Sequence, residues 1–505
     1  MICHKETAAV VDNGIYTIYL NKEVETASTA PPNITAEKNK EDNVKNKSED
    51  IRSKTAALWT HFFTLTILGV MMWGLLWCAW GPGWRWDGPW VRLGAVAVVG
   101  WSSGQALQAL TTMPPLLAAL LTGILARNIG FLDMRDFIEI DGFLRKVYPV
   151  VILGKASLGW NVDYMRRNWL GIAALGVLPW AVEVTAVAAC AHFVLDFPWL
   201  WGFLLGSIHA SVSCAVVMPG VIRLGASCGS GRNWVQLVCT AGGTDTALSV
   251  GVYGLFFSFM FHAETDVYKY VKAGSTLFVG VVLGVAWGSL AKFVPHAQDY
   301  YVTELRILFV LVGGLLANFL LLHLGWAGTA GVAVLACNAT AAMHWARNGW
   351  PLNNNAAATA YRVLWAALEP TLFSFTGTFF AIDHDLWNVM LVGLGILFLC
   401  LVLRLAVAAL VCWDMTLREK LFVCCTWIPK SIVEAVLGPL ALTTVISRGS
   451  YKGSETDYVY AETLMKILIQ AIIITTPIGY LLTNYLGPKL LKKPKKDCEN
   501  NVEQS

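Results

Sequence analysis

Residues 386–413 read LWNVMLVGLGILFLCLVLRLAVAALVCW, twenty-eight residues with one charge, Arg404. A helix needs about 20 mainly apolar residues to cross the ~30 Å hydrocarbon core of a bilayer, so this run reads as a transmembrane span. Working outward, comparable segments recur near 57–80, 90–110, 112–129, 146–163, 168–195, 198–224, 234–262, 270–294, 305–325, 327–346, 360–382, 418–446 and 460–487. The expectation is an all-α membrane protein of about 14 transmembrane helices, each with its connection taking roughly 31 residues, which suits one span and a short loop. Residues 57–488 then form a transmembrane transporter domain between two polar tails.

Composition agrees. The chain has 505 residues, 56% hydrophobic and 14% charged, with a mean hydropathy of +0.55. A soluble chain carries about a quarter charged residues. The tails, 1–56 and 489–505, hold 25 of the 71 charges, which leaves 46 for residues 57–488. Soluble enzymes, nucleic-acid binders and disulfide-stapled secreted domains fit poorly. Most of the twelve cysteines, Cys190, Cys214, Cys400, Cys424 and Cys425 among them, lie in apolar segments with no CxxC pair or His/Cys cluster, so no metal or other cofactor is expected.

The first 56 residues lack an apolar signal region and read as a disordered tail. Asn33-Ile34-Thr35 and Asn46-Lys47-Ser48 match the glycosylation pattern, which has no meaning if this tail is cytoplasmic. Lys489, Lys492, Lys493, Lys495 and Lys496 follow the last span. Positive loops stay inside, so the C-terminal tail is expected to be cytoplasmic, and an even span count places the N-terminus there too. The same lysines could meet anionic lipid headgroups, although topology alone accounts for them. No organelle address is visible, and the plasma membrane is the expected location.

A charge at the bilayer centre costs at least ~2.5–3.5 kcal/mol on the insertion scale. Lys155, Glu183, Asp245, Glu369, Arg404, Lys430 and Glu434 each need a reason, and His209 is a titratable addition. They are scattered singly over several spans, which suits an ion pathway better than a lipid-embedded enzyme. Asp245 lies in Thr240-Ala-Gly-Gly-Thr-Asp-Thr-Ala247, where Gly242 and Gly243 are expected to let the helix unwind and expose carbonyls to a small cation. A buried carboxylate that takes either a proton or a cation is the simplest chemistry of an exchanger. Its alternative is a carboxylate satisfied by local hydroxyls or a basic partner.

Lys430 lies in Trp427-Ile-Pro-Lys-Ser-Ile-Val-Glu-Ala-Val-Leu-Gly-Pro-Leu440. Pro429 disturbs the helix beside the lysine, and Gly438 and Pro439 are expected to repeat the interruption. Interrupted helices in corresponding places of two halves point to a midplane site, here the Asp245 and Lys430 segments. Lys430 is either a structural ammonium or a proton carrier. Glu434, one turn on, is expected to pair with it. Glu183 and Arg404, opposite charges in separate spans, are expected to form a buried ion pair. His209 is either a hydrogen-bonded interior residue or a proton relay, and Glu369, before Pro370, receives no role.

At these residues the chain resembles the animal sodium/proton exchanger 9B subfamily of the cation:proton antiporters, relatives of the bacterial sodium/proton antiporters. The resemblance rests on Leu121-Thr-Gly-Ile-Leu-Ala-Arg-Asn128, Pro198-Trp-Leu-Trp-Gly-Phe-Leu-Leu-Gly206, Val212-Ser-Cys-Ala-Val-Val-Met-Pro219, Ala241-Gly-Gly-Thr-Asp245, Trp427-Ile-Pro-Lys430, Pro477-Ile-Gly and Leu486-Gly-Pro488. It implies inverted repeats with two crossing discontinuous helices, those of Asp245 and Lys430. It also implies a dimerisation part, a mobile core, elevator-like alternating access and a homodimer, with Glu183 and Arg404 as a salt bridge.

The sequence departs from the family where two adjacent acids are usual. One alignment puts Asp245 on the first acid and Thr246 on the second, and the apolar register favours it. The other puts Asp245 on the second and Thr244 on the first. A further family acid is matched by Phe379, and the proline usual after Ser213 is Cys214. Exchange of Na⁺ or Li⁺ for protons is therefore the first expectation, with Asp245, Thr246, Thr244 and Lys430 binding the ion and proton and His209, Ser213 and Glu434 along the pathway. With one acid fewer, proton-coupled anion transport, H⁺ with Cl⁻, is the second. A transport-dead sensor or scaffold is the third.

Overall fold

The computed structural model describes residues 60–491 apart from 61–62, 65, 80, 228–233, 262–265, 297, 351, 353–354, 384–385 and 449–454. The expectations for residues 1–56, and those for the 489–505 tail beyond residue 491, lie outside these residues. Two compact units are present, Met1–Ala95 and Val96–Ser505. The described part of the first holds helix α1 (Thr66–Ala79) and a 3-10 turn (Gly81–Trp84). The Trp73 indole N–H donates to the Trp84 carbonyl at 2.9 Å. Helix α2 (Pro89–Thr111) begins in the first unit and ends in the second.

The rest is helical, with no strand among the described residues. In order follow α3 (Leu116–Asn128), α4 (Ile138–Ser157), α5 (Val162–Arg167), α6 (Trp169–Val194), α7 (Trp199–His209), α8 (Cys214–Ser227), α9 (Trp234–Phe261) and α10 (Asp266–Leu290). Then come α11 (Val302–His323), α12 (Ala327–Arg347), α13 (Ala356–Gly377), α14 (Leu386–Val411), α15 (Leu417–Thr426), α16 (Ile432–Ser447), α17 (Glu455–Leu481) and α18 (Gly487–Leu491). Among the described residues, six stretches are long and apolar enough to cross a membrane: 169–194, 199–224, 234–261, 302–323, 386–411 and 456–491. On α14, Leu391, Phe398, Leu399 and Leu410 stay exposed, as expected of residues that face lipid.

Within the second unit, α6 to α9 pack with α14 to α18, while α3, α4 and α10 to α13 pack among themselves. Helix α9 joins the groups by lying against α12, and α16 does so by lying against α4. Glu183, His209, Asp245, Arg404 and Lys430, expected at membrane depth, meet within the first of these groups.

Two expectations are corrected. Helix α9 runs unbroken from Trp234 to Phe261, so Gly242 and Gly243 do not unwind it. They make room instead: a Cβ on Gly242 would lie 2.5 Å from the Cys214 sulfur, and one on Gly243 2.1 Å from the Trp160 ring. Helix α16 likewise continues through Gly438 and Pro439. Pro439 has no N–H to give the carbonyl of Ala435, four residues back. That carbonyl is satisfied from outside, by Arg145 Nη1 at 2.6 Å and Thr376 Oγ1 at 3.0 Å, and the helix need not break.

The seam between α9 and α12 is backbone on backbone. A Cβ on Gly254 would meet the Gly328 nitrogen at 2.2 Å. Gly254→Val should therefore lower the thermal unfolding midpoint of the detergent-purified protein. The expected penalty is in the overpacking range of about 1–3 kcal/mol. Gly274→Val, where a Cβ meets nothing within 4 Å, should cost far less in the same experiment.

Candidate functional site

Two helix breaks face each other. The first separates α7 from α8 at Ala210–Ser213, and the second separates α15 from α16 at Trp427–Ser431. The discontinuous partner of the Lys430 segment is thus the His209–Ser213 segment and not the helix of Asp245. The breaks touch directly. The Ser213 N–H donates to the Pro429 carbonyl at 2.7 Å, and the Ser213 and Ser431 hydroxyls hydrogen-bond. Helix α17 closes the second break, with Thr475 Oγ1 accepting the Lys430 N–H at 3.0 Å and Thr476 Oγ1 donating to the Lys430 carbonyl at 2.7 Å. Unwound backbone at membrane depth is tolerable because such partners replace the lost helical hydrogen bonds.

The first break turns carbonyls one way and an amide the other. The carbonyls of His209 and Ala210, at the negative end of α7, accept from Lys430 Nζ at 2.5 Å and from Arg404 Nη1. The Val212 N–H, within the break, donates to Asp245 Oδ1 at 2.9 Å. One irregular segment therefore serves two cations and one carboxylate.

The side chains complete a cluster that is 0% exposed at every member. Arg404, from α14, places Nη1 2.5 Å from Glu183 Oε2 on α6 and Nη2 2.5 Å from Asp245 Oδ2 on α9. Lys430 Nζ lies 2.8 Å from Glu183 Oε1, which His209 Nδ1 also approaches at 3.1 Å. Two carboxylates and two cations balance, and His209 bears on Glu183. Several side-chain atoms around the breaks are buried without a hydrogen-bond partner: His209 Nε2, Ser211 Oγ, Arg404 Nε, Trp427 Nε1 and Glu434 Oε1. Buried polar atoms are usually paired, so each of these calls for an explanation.

The expected residues are not all placed as the sequence suggested. Glu183 and Arg404 meet, but the same guanidinium also bridges Asp245, a contact the sequence reading missed. Lys430 turns to Glu183 and the His209 carbonyl, so the expected Lys430–Glu434 pair is not formed. The Thr244 and Thr246 hydroxyls donate to Thr240 and Gly242 carbonyls on their own helix, at 2.9 and 3.0 Å. A cavity of about 630 Å³, lined in part by Asp163, Arg166, Trp169, Ile172 and Arg347, reaches α9 at Thr244, one residue before Asp245.

A second buried ion pair, Arg145 Nε to Asp141 Oδ2 at 2.6 Å, was also missed. Its guanidinium lies over the ring of Phe379, 5.5 Å from the centroid, and reaches the Ala435 carbonyl. The signal was available as the i, i+4 pair in Asp141-Gly-Phe-Leu-Arg145. It was passed over because the span was drawn from 146, whereas α4 begins at Ile138. The polar run His209-Ala-Ser-Val-Ser213 inside an apolar stretch was the corresponding signal for the first break.

Comparison with known proteins places this arrangement. A family model described as "Sodium/hydrogen exchanger, transmembrane" matches residues 94–484. Human sodium/hydrogen exchanger 9B2 is 29% identical over 455 residues, covering 86% of this chain and 82% of the relative. Human sodium/hydrogen exchanger 9B1 is 28% identical over 386 residues, covering 75% and 73%. The fold is similar to that of a sodium proton antiporter from Methanocaldococcus jannaschii solved at pH 8, with a TM-score of 0.62 and 17% identity over 79% of this chain and 98% of the other.

Because Arg404 bridges two buried carboxylates, its removal strands Asp245 and leaves Glu183 with Lys430 as its remaining fixed cation. Breaking a buried pair typically costs about 3–5 kcal/mol. Arg404→Ala should lower the thermal midpoint in detergent sharply. Arg404→Lys should recover only part of the loss, since one ammonium cannot reproduce the fork that reaches Glu183 and Asp245 together.

Proposed function

The chain belongs to the sodium/hydrogen exchanger family, and from that premise we propose that it is a secondary transporter exchanging a monovalent cation, Na⁺ or Li⁺, for protons. The observation that carries the reading is Asp245: a fully buried carboxylate held between Arg404 and the Val212 amide, beside the contact of two broken helices. Leaving Arg404 would strand a charge, so Asp245 must take up a proton or a cation as it leaves. The two compete for the same oxygens, and that competition couples their movements. Glu183 stays between Arg404 and Lys430 while Asp245 changes partners and offsets one of their two charges, which makes Lys430 a supporting residue.

The broken helices favour alternating access, in which a cavity opens to one side at a time. The cavity that ends at Thr244 fits one such state, and Arg166 and Arg167 beside it fit a cytoplasmic face by the positive-inside rule. We further assign about 14 spans, elevator-like movement of a core against a dimerisation part, a homodimer, cytoplasmic termini and the plasma membrane. Thr246 in place of an acid supports the second reading, H⁺ with Cl⁻ on the same fold.

Proteoliposomes containing the purified full chain and an interior pH dye test this. Na⁺, Li⁺, K⁺ and Cl⁻ gradients would be imposed singly with the membrane potential clamped. Protons should move opposite to Na⁺ or Li⁺, and Asp245→Asn should abolish the movement. Proton movement that follows Cl⁻ and ignores cations would replace the first reading with the second. Silence under every gradient, beside an active relative, would leave the sensor or scaffold.

A further inference from the structure

Among the described residues, Glu434 is the one carboxylate near the breaks that the balanced cluster does not engage. It sits in the first turn of α16, immediately after the second break, and is 1% exposed. Its Oε1 has no hydrogen-bond partner. The charges acting on it are Lys430 from its own segment, Glu183 from α6 and Asp245 from α9. Lys430 is the cation expected to neutralise it, yet Lys430 is taken by Glu183 and the His209 carbonyl.

The other elements packed on α16 offer it no free counter-charge. Arg145 on α4 is paired with Asp141 and faces the Ala435 and Val436 carbonyls. Helix α13 brings the Thr376 hydroxyl, which donates to the Ala435 carbonyl. Helix α7 brings His209, directed at Glu183, and α17 brings Lys466, held by Asp383. An ionised carboxylate in such surroundings is held only if it takes up a proton or a cation. A glutamine would fill the same space without that demand.

Resting on the exchange reading above, we propose that Glu434 is a second proton-binding carboxylate of the transport site, supplying from α16 the acid that Thr246 does not supply from α9. When the cation arrives, the Glu434 O–H bond breaks, the proton leaves to water and the electron pair stays on the carboxylate. The site then holds three carboxylates and two cationic side chains, Arg404 and Lys430, so one added monovalent cation restores neutrality.

The test counts protons. Li⁺ or Na⁺ is titrated into the detergent-purified full chain in weak buffer with a pH indicator, and infrared difference spectra are recorded in the protonated-carboxyl region. Glu434→Gln should lower the protons released on cation binding by about one per protomer, by linkage between proton and cation binding. It should also remove one protonated-carboxyl band that wild type loses on adding cation. Glu434→Asp should retain both signals, whereas a purely structural role would leave the proton count unmoved. Unchanged release and an unchanged spectrum in Glu434→Gln would overturn the proposal. If wild type binds no cation and moves no protons, the exchange reading fails, and a Glu434 band that titrates with pH alone would still establish the proton site. Absence of that band would remove both.

Discussion

The guanidinium of Arg404 organises the interior. It is buried completely, and its two terminal nitrogens reach Glu183, Asp245 and the Ala210 carbonyl, from three different elements. An arginine suits this place because its planar fork can hold two carboxylates at once and stays charged. Without it α6 and α9 would present two carboxylates to each other in a low-dielectric interior. With it they are drawn to α14 and to the break after α7. Here an irregular backbone and a charge cluster stabilise each other. The break supplies carbonyls that no intact helix could, and the cations give those carbonyls partners.

The break at Trp427–Ser431 obeys the same rule with different chemistry. Pro429 cannot continue the hydrogen-bond ladder, and the orphaned groups go to Ser213, Thr475 and Thr476. Pro439, ten residues on, poses the same problem inside α16. There Arg145 and Thr376 cap the orphaned carbonyl of Ala435, and the helix survives. Whether a proline breaks a membrane helix therefore depends on what neighbouring helices present to the carbonyl it frees.

That dependence marks the limit of the sequence reading. The all-helical membrane architecture was legible from apolar run length alone, because a span is a local property. The charged residues were legible as exceptions to those runs. Which of them touch was not. Glu183 and Arg404 are 221 positions apart, and Lys430 had an obvious local partner in Glu434 that it does not use. The glycines of α9 carried a signal read with the wrong consequence. Gly242 and Gly243 admit Cys214 and Trp160 from other elements, which a single helix considered alone cannot reveal.

The charge balance also bears on why movement of one ion should require movement of another. Arg404 and Lys430 against Glu183 and Asp245 make a neutral set, and any carboxylate that leaves it exposes an uncompensated cation. In a medium that penalises isolated charge, the rearrangement with the lowest barrier replaces one neutral set by another. A proton or a cation added to this set alone would leave one positive charge in excess, so the addition has to be matched by a charge lost or gained beside it. A strictly balanced set, however, offers a cation little net attraction. Glu434 supplies that attraction from the opposite helix. It gives the pocket one negative charge more than its fixed cations when ionised and none when protonated, which is the difference a monovalent cation must sense in order to be bound on one side and released on the other.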